Sequence, residues 1–199
     1  MEQSPGVNAI VKVMKQKNYT VFEDPRGHDL NIVGLRTKDM TPNTFNDWMN
    51  LFYRFDGRWN FFAFPCTTDP GTYWLQNPMN VKGTAILKPG QYRKAYSIGM
   101  HFDYRALVQS GNLTVYRDAN RDNKLDVAGQ AEDTGSDFGV NIHRSHPQLA
   151  MTSVDKWSAG CQVFQDPDHY AFFLKICDMA AAKFTNSFTY TLLTEEDFG

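Results

Sequence analysis

The chain consists of short apolar and aromatic runs interrupted by glycine and proline turns, and this pattern limits its fold more than any other feature. Turn clusters occur at residues 24–27, 69–71 and 88–90. Short runs that are bounded by such turns and rich in aromatic and β-branched residues are typical of strands. The pattern predicts strands at residues 19–22, 31–35, 45–55, 59–64, 84–87, 92–100, 113–116, 162–164 and 187–193. For residues 45–55 the alternative is a helix capped by Thr44.

Two helices are predicted, one near each end of the chain. Apolar residues recur at helical spacing between Val7 and Met14, which predicts a helix over residues 5–17. Asp166 or Asp168 can cap a second helix over residues 167–184. No repeat, linker or low-complexity segment divides the chain. We therefore expect one domain, residues 1–199, of mainly β (α+β) class with flanking N- and C-terminal helices.

Composition excludes several classes of protein. The chain has 199 residues, of which 42% are hydrophobic and 14% aromatic, enough for one core and too many for a disordered chain. Its formal net charge is −2, so it lacks the basic excess that nucleic-acid binding requires. No apolar stretch reaches the ~18 residues of a membrane span, so we expect no membrane insertion. The oligomeric state stays open.

One cysteine and one histidine are candidates for chemistry. His143 follows an apolar run, and Cys161 stands 18 residues later, behind Gly160 and ahead of a predicted strand. Catalysis by a cysteine needs an ionised thiol, a nearby imidazole and backbone donors for the oxyanion, and a glycine beside the nucleophile allows close approach. The alternative is that both residues are structural, since free cysteines are often small buried hydrophobes. The hypothesis requires the imidazole to ionise the sulfur.

The remaining cysteines and histidines carry weaker signals. Cys66 has no histidine nearby in the sequence, and Cys177 lies on the apolar side of the second predicted helix, where core packing is expected. His146 is close to His143, and His101 ends a strand and could face either way. The chain contains no CxxC or HxxxH pair, which disfavours a zinc peptidase.

His143 followed by Ser158-Ala159-Gly160-Cys161 resembles the catalytic signature of the L,D-transpeptidase family, and residues 69–74 resemble another segment of that family. The resemblance covers about residues 59–165 and leaves 1–58 and 166–199 as elaborations. It implies an L,D-transpeptidase-like β-sandwich whose catalytic residues are Cys161, His143 and Ser158.

The resemblance implies that Cys161 forms a thioester with a peptidoglycan stem peptide, and that His143 is first the general base and later the general acid. Ser158 lies near the imidazole or fixes the loop, and Gly160 with Cys161 supplies N–H groups to the oxyanion. Two positions depart from the family's pattern, because Ala159 replaces a histidine and Val163 replaces an arginine. Arg144, beside the catalytic histidine, is the candidate to take over the arginine's role in binding substrate or oxyanion.

The resemblance implies a cysteine peptidase that cleaves peptidoglycan stem peptides through an acyl-enzyme. One alternative is an L,D-transpeptidase that forms or exchanges cross-links, and another is a non-catalytic wall-binding or virion structural protein. Trp48, Trp59, Trp74 and Trp157 would then stack on sugars. The sequence as written starts without a secretory signal. We therefore expect a chain made in the cytoplasm that reaches the bacterial cell wall after release or delivery, as a phage lysis enzyme or antibacterial toxin does.

Residues 118–126 match the first nine positions of a calcium-binding loop. The candidate ligands occupy its first, third, fifth, seventh and ninth positions, and they are Asp118, Asn120, Asp122, the Lys124 carbonyl and Asp126. The twelfth position is Gly129 instead of glutamate, although Glu132 or Asp133 could reach back. The alternative is a solvated Asp/Asn turn. A bound Ca²⁺ would stiffen the loop that leads to His143 and would take no part in the chemistry.

Overall fold

The computed structural model describes residues 1–199 and is mainly β, as predicted. Its helices are α1 (Val7–Gln16), α2 (Thr72–Gln76), α3 (Pro167–Lys183) and a final 3₁₀ helix (Glu195–Phe198). Its strands are β1 (Asn31–Arg36), β2 (Asp47–Phe55), β3 (Arg58–Thr67), β4 (Thr84–Leu87), β5 (Gly90–His101), β6 (Tyr104–Gln109), β7 (Leu113–Asp118), β8 (Glu132–Gly135), β9 (Ile142–Arg144), β10 (Gln162–Phe164) and β11 (Phe188–Thr194). No helix is both long and apolar enough to cross a membrane.

Eight strands close into a barrel, where the resemblance implied a β-sandwich. Around the barrel the order is β1, β11, β5, β6, β9, β10, β3 and β2, with β2 returning to β1. The pairs β1–β11 and β9–β10 are parallel, and the other pairs are antiparallel. Closure leaves the barrel without unpaired edges.

The two ends of the chain are part of this barrel. Residues 1–58 supply β1 and β2, and residues 166–199 supply β11, which lies between β1 and β5. The segments that the resemblance left as elaborations are therefore needed to close the sheet.

Strand β1 separates two apolar clusters. Ile32 belongs to the main core, together with the buried face of α3, whereas Val33 and Leu35 point outward onto α1. All six residues of β1 are buried, because side chains alternate across a strand and both faces are covered. Helix α1 buries Ile10, Val13 and Met14 in this second cluster, among others.

A second, three-stranded sheet of order β4, β7, β8 packs beside the barrel. Its strand β8 follows the candidate calcium loop and is not among the strands predicted from the sequence. The strand predicted at residues 19–22 is absent from the structure. There the backbone bonds to side chains instead of a neighbouring strand, with the Thr20 N–H donating to Gln91 Oε1 and the Phe22 N–H to Asn31 Oδ1, each at 2.9 Å.

Candidate active site

The parallel pairing of β9 and β10 brings the predicted cysteine and histidine together. Val163 is opposite His143 in this ladder, and the Gln162 N–H donates to the Asn141 carbonyl at 2.9 Å. Cys161 directly precedes β10 and is opposite Asn141, whose N–H donates to its Sγ at 3.4 Å. Two residues 18 positions apart in sequence thus occupy the same end of two adjacent strands.

Both side chains line a cavity of about 740 Å³ between the barrel and the small sheet. Cys161 is 9% exposed, whereas Cys66 and Cys177 are fully buried. The sulfur of Cys161 is therefore the one thiol that opens onto the cavity. The aromatic residues in the cavity wall are Trp74, Phe102, Phe138 and Trp157.

The backbone carbonyl of Arg144 holds the His143 ring. It lies 2.7 Å from Nδ1, which donates to it because a carbonyl oxygen can only accept. The Tyr104 hydroxyl lies 3.0 Å from the same Nδ1 and donates to that carbonyl at 3.3 Å. A ring that carries its proton on Nδ1 has a free lone pair on Nε2. His143 is therefore the tautomer that can accept a proton at Nε2.

His101 covers the other side of this ring, and the sequence left its orientation open. The two imidazole planes are stacked at 25°. The side-chain N–H of Asn141 points at His101 Nδ1 at 3.0 Å, while Asn141 Oδ1 accepts from the Gln109 N–H at 2.9 Å. That second bond fixes the amide orientation, so His101 accepts at Nδ1 and carries its proton on Nε2.

Burial sets the protonation of the pair. Desolvation raises the pKa of the Cys161 thiol to about 11, although the Asn141 N–H opposes it. Desolvation and neighbouring His101 lower the pKa of His143 to about 3. The site therefore holds a neutral thiol and a neutral imidazole, in contrast to the ionised sulfur that the sequence hypothesis required. The thiol donates to the Gly139 carbonyl at 3.4 Å.

Ser158 and Gly160 shape the loop that presents Cys161. Ser158 is fully buried, and its hydroxyl donates to the Cys161 carbonyl at 2.8 Å and accepts from the Gly160 N–H at 3.2 Å. Its contacts are those of a loop-fixing residue, and no hydrogen bond joins it to the imidazole. Gly160 has φ +120°, and a Cβ there would lie 2.4 Å from the Ala85 carbonyl oxygen, so only glycine fits.

These bonds also decide which amides could bind an oxyanion. The Gly160 N–H already donates to Ser158, so the predicted pair of donors is reduced to one. The Cys161 N–H makes no hydrogen bond within the protein. It is therefore the available donor beside the sulfur.

Arg144 lies outside the cavity, and its predicted contact with substrate or oxyanion is not seen. Its guanidinium lies over the Tyr104 ring, 4.0 Å from the centroid, because successive side chains of a strand point to opposite faces and His143 faces the cavity. Arg144 contacts the site through its backbone carbonyl, which accepts from His143 Nδ1, and not through its guanidinium. Val163, where the family has an arginine, is fully buried.

Five charged residues line the cavity, and the sequence singled out only one of them, Asp133, as a candidate calcium ligand. Lys82, Lys156 and Arg117 supply positive charge, and Asp133 and Asp137 supply negative charge. Arg117 donates to Asp133 at 3.1 Å, while Lys156 lies over the Tyr73 ring, 4.2 Å from its centroid. These residues come from several distant segments, so no local motif could have revealed them.

The acidic loop lies behind the cavity wall. The Asp126 N–H donates to Asp118 Oδ2 at 3.2 Å. Within the loop, the Lys124 N–H also donates to Asp122 Oδ1 at 3.0 Å. Glu132 and Asp133, which the sequence offered as a twelfth ligand, do not reach back, because they pair with Lys88, Lys82 and Arg117 instead. No group of three His, Cys, Asp or Glu side chains converges on a metal position in the protein as it stands.

The four tryptophans divide into two pairs. Trp74 and Trp157 line the cavity. Trp48 and Trp59 pack against the α1 cluster on the opposite side of β1 and β2.

No protein-family model, curated protein or solved structure gives a significant match to this chain. A substrate class must therefore be argued from the cavity and from the resemblance of the His143 and Cys161 segments.

Proposed function

We propose that this protein is a cysteine-dependent peptidase that cleaves peptidoglycan stem peptides through an acyl-enzyme on Cys161. The observation that carries the proposal is that Cys161 and His143, on adjacent parallel strands, open onto one cavity. If Cys161 and His143 had only packing roles, nothing would require both to line the same cavity.

The proposed reaction uses the neutral pair. His143 Nε2 takes the thiol proton as Sγ bonds to the scissile carbonyl carbon, and the Cys161 N–H donates to the developing oxyanion. The imidazolium then gives that proton to the leaving amine, and the C–N bond breaks to leave a thioester. Water attacks the thioester with His143 again as base, and the free thiol and a carboxylate product result.

The substrate class rests on the resemblance of His143 and Ser158-x-Gly160-Cys161 to the L,D-transpeptidases. The mixed charge of the cavity supports it, because stem peptides carry free carboxylates and amines that Lys82, Lys156 and Asp137 could pair with. A cavity of about 740 Å³ is also large enough for a few residues of a peptide. The L,D-transpeptidase-like fold is part of this proposal.

Two other functions share the same observations. Transpeptidation passes through the same thioester and differs only in that an amine replaces water. A non-catalytic wall-binding protein is the second alternative, and the half-buried Trp74 and Trp157, which line the cavity, favour it as sugar-stacking surfaces.

Mass spectrometry of purified muropeptides distinguishes the three. After incubation with wild type, shortened stem peptides indicate hydrolysis, and exchanged or cross-linked products indicate transpeptidation. Cys161→Ala and His143→Ala should abolish either product. Cys177→Ala and His146→Ala are matched controls, because neither residue lines the cavity. Unchanged muropeptides together with wall binding that survives Cys161→Ala would show a binding protein instead.

A further inference from the structure

The loop between β7 and β8 contains an acidic side chain that the structure leaves without a partner. Asp118 is 1% exposed, and its Oδ2 accepts from the Asp126 N–H across the loop. Its Oδ1 is buried and has no hydrogen-bond partner. A buried carboxylate oxygen without a donor is costly unless a cation or a donor satisfies it.

We propose that residues 118–126 bind one Ca²⁺ ion, with Asp118 as the buried ligand. Asp118 faces the loop interior, since its other oxygen is bonded to Asp126 there. Asn120 reaches the same place, because its side-chain amide donates to Asp126 Oδ2 at 2.5 Å. Asp126 thus links Asp118, through its backbone N–H, to Asn120, through its side chain.

The charge of the loop favours a cation. Asp118, Asp122 and Asp126 place three carboxylates within one nine-residue loop. Arg121 and Lys124 form no ion pair with these carboxylates. The mutual repulsion of the three carboxylates is relieved when a divalent cation lies among them.

The donor set is suited to calcium and to weak binding. Carboxylate, amide and backbone carbonyl oxygens are the ligands Ca²⁺ takes, and the Lys124 carbonyl and the exposed Asp122 side chain complete the set on binding. The bidentate glutamate of high-affinity loops is missing, because Glu132 pairs with Lys88. We therefore place the dissociation constant in the range of about 10⁻⁴ to 10⁻³ M that low-affinity sites show.

The loop touches the cavity through Gly83. This residue has φ +110°, and a Cβ on it would lie 2.3 Å from the Asp118 carbonyl oxygen. Gly83 and its neighbour Thr84 line the cavity. An ion held by Asp118 therefore fixes the backbone against which one wall of the cavity rests.

Calorimetric titration with CaCl₂ and thermal unfolding with and without CaCl₂ test the proposal on the full chain. Wild type should bind one ion, and its Tm should rise by about 5–11 °C at one hundred times the dissociation constant. Asp122→Asn removes one charge, and its amide oxygen can still accept from the Lys124 N–H, so the loop should keep its shape. We expect this variant to bind at least tenfold more weakly.

Asp56→Asn is the matched control, because Asp56 is exposed at the turn between β2 and β3, far along the chain from the loop. It should bind like wild type. Absence of binding by wild type at millimolar CaCl₂, equal binding by Asp122→Asn, or an equal response to MgCl₂ would each overturn the proposal. Cys161→Ala should bind Ca²⁺ normally, so this result and the muropeptide result can fail independently.

Discussion

The imidazole rings of His101 and His143 stack with their centroids 4.2 Å apart. Asn141 holds His101 in the tautomer that accepts at Nδ1, and a second proton on that nitrogen would meet the Asn141 N–H. His101 is therefore a neutral ring that covers one face of the proposed base, His143. It shields His143 from water and keeps the pKa of His143 low.

Removal of the His101 ring should change both the pH dependence of the activity and the magnitude of kcat/KM. In His101→Ala, water reaches His143, its pKa rises toward the ordinary value of 6.5, and kcat/KM falls between about tenfold and a hundredfold. The pH–rate profile should then show a new acid limb near pH 6. His101→Phe restores the stacked ring and should recover most of the activity. Identical pH profiles for wild type and His101→Ala would contradict the role given to His101.

Alkylation of Cys161 should report a neutral thiol. Because its pKa is raised to about 11, the thiolate fraction, and with it the rate with iodoacetamide, should rise about tenfold per pH unit between pH 7 and 9. Mass spectrometry should find one label per folded chain, since Cys66 and Cys177 are fully buried. Cys161→Ala should take up none. A rate that is already constant above pH 5 would instead indicate a standing thiolate–imidazolium pair.

Arg144 should matter through its backbone and little through its charge. Arg144→Ala removes the cation–π contact with Tyr104, worth about 0.5–2 kcal/mol, and leaves the carbonyl that holds His143. We expect kcat/KM to change by less than about tenfold. A loss of about 10² to 10³, the size found for an oxyanion donor, would restore the role that the sequence assigned to this side chain.

A buried acidic pair should make stability fall as pH rises. Asp47 and Asp69 are buried around one guanidinium, Arg36, and burial followed by the Asp69 charge raises the pKa of Asp47 to about 7. The folded state thus binds this proton more tightly than the unfolded chain. Its contribution to stability is fully present below the ordinary pKa of 3.8 and is lost as pH rises to about 7.

Thermal unfolding from pH 5 to pH 8 measures this effect. Wild type should lose several degrees of Tm across that range, and Asp47→Asn, which cannot titrate, should show a smaller slope. The variant should also be less stable at pH 5, because both oxygens of Asp47 accept hydrogen bonds and an amide has only one oxygen. Oδ1 accepts from the Thr37 N–H, and Oδ2 accepts from the Thr68 N–H and hydroxyl, each at 2.8 Å. Parallel slopes in the two proteins would contradict the assignment.

Local sequence patterns predicted most elements of this fold. Helix α3 begins at Pro167, and the Asp166 side chain accepts from the Asp168 N–H, as its capping position indicated. The hairpin between β5 and β6 was missed, because Phe102 turns the chain with φ +55° and gives no glycine signal. Strand β8 was missed because its residues, Glu132–Gly135, have no apolar alternation.

Closure of the barrel could not be predicted from periodicity. It depends on the parallel pairing of β1 with β11, which joins Ile32 to Tyr190 across most of the chain. The site was predictable only in part for the same reason. Cys161 and His143 are close in sequence and carry a motif, whereas His101 and Lys156 reach the cavity through tertiary packing alone.

Strand β11 follows all the other strands in sequence, yet it is inserted between β1 and β5. Its Tyr190 hydroxyl donates to Gln162, the residue next to Cys161, at 2.8 Å. Without residues 188–194 the sheet would be open between β1 and β5, and Gln162 would lose this hydrogen bond. Assembly of the segment that carries Cys161 is therefore coupled to the docking of a strand 28 residues further along the chain.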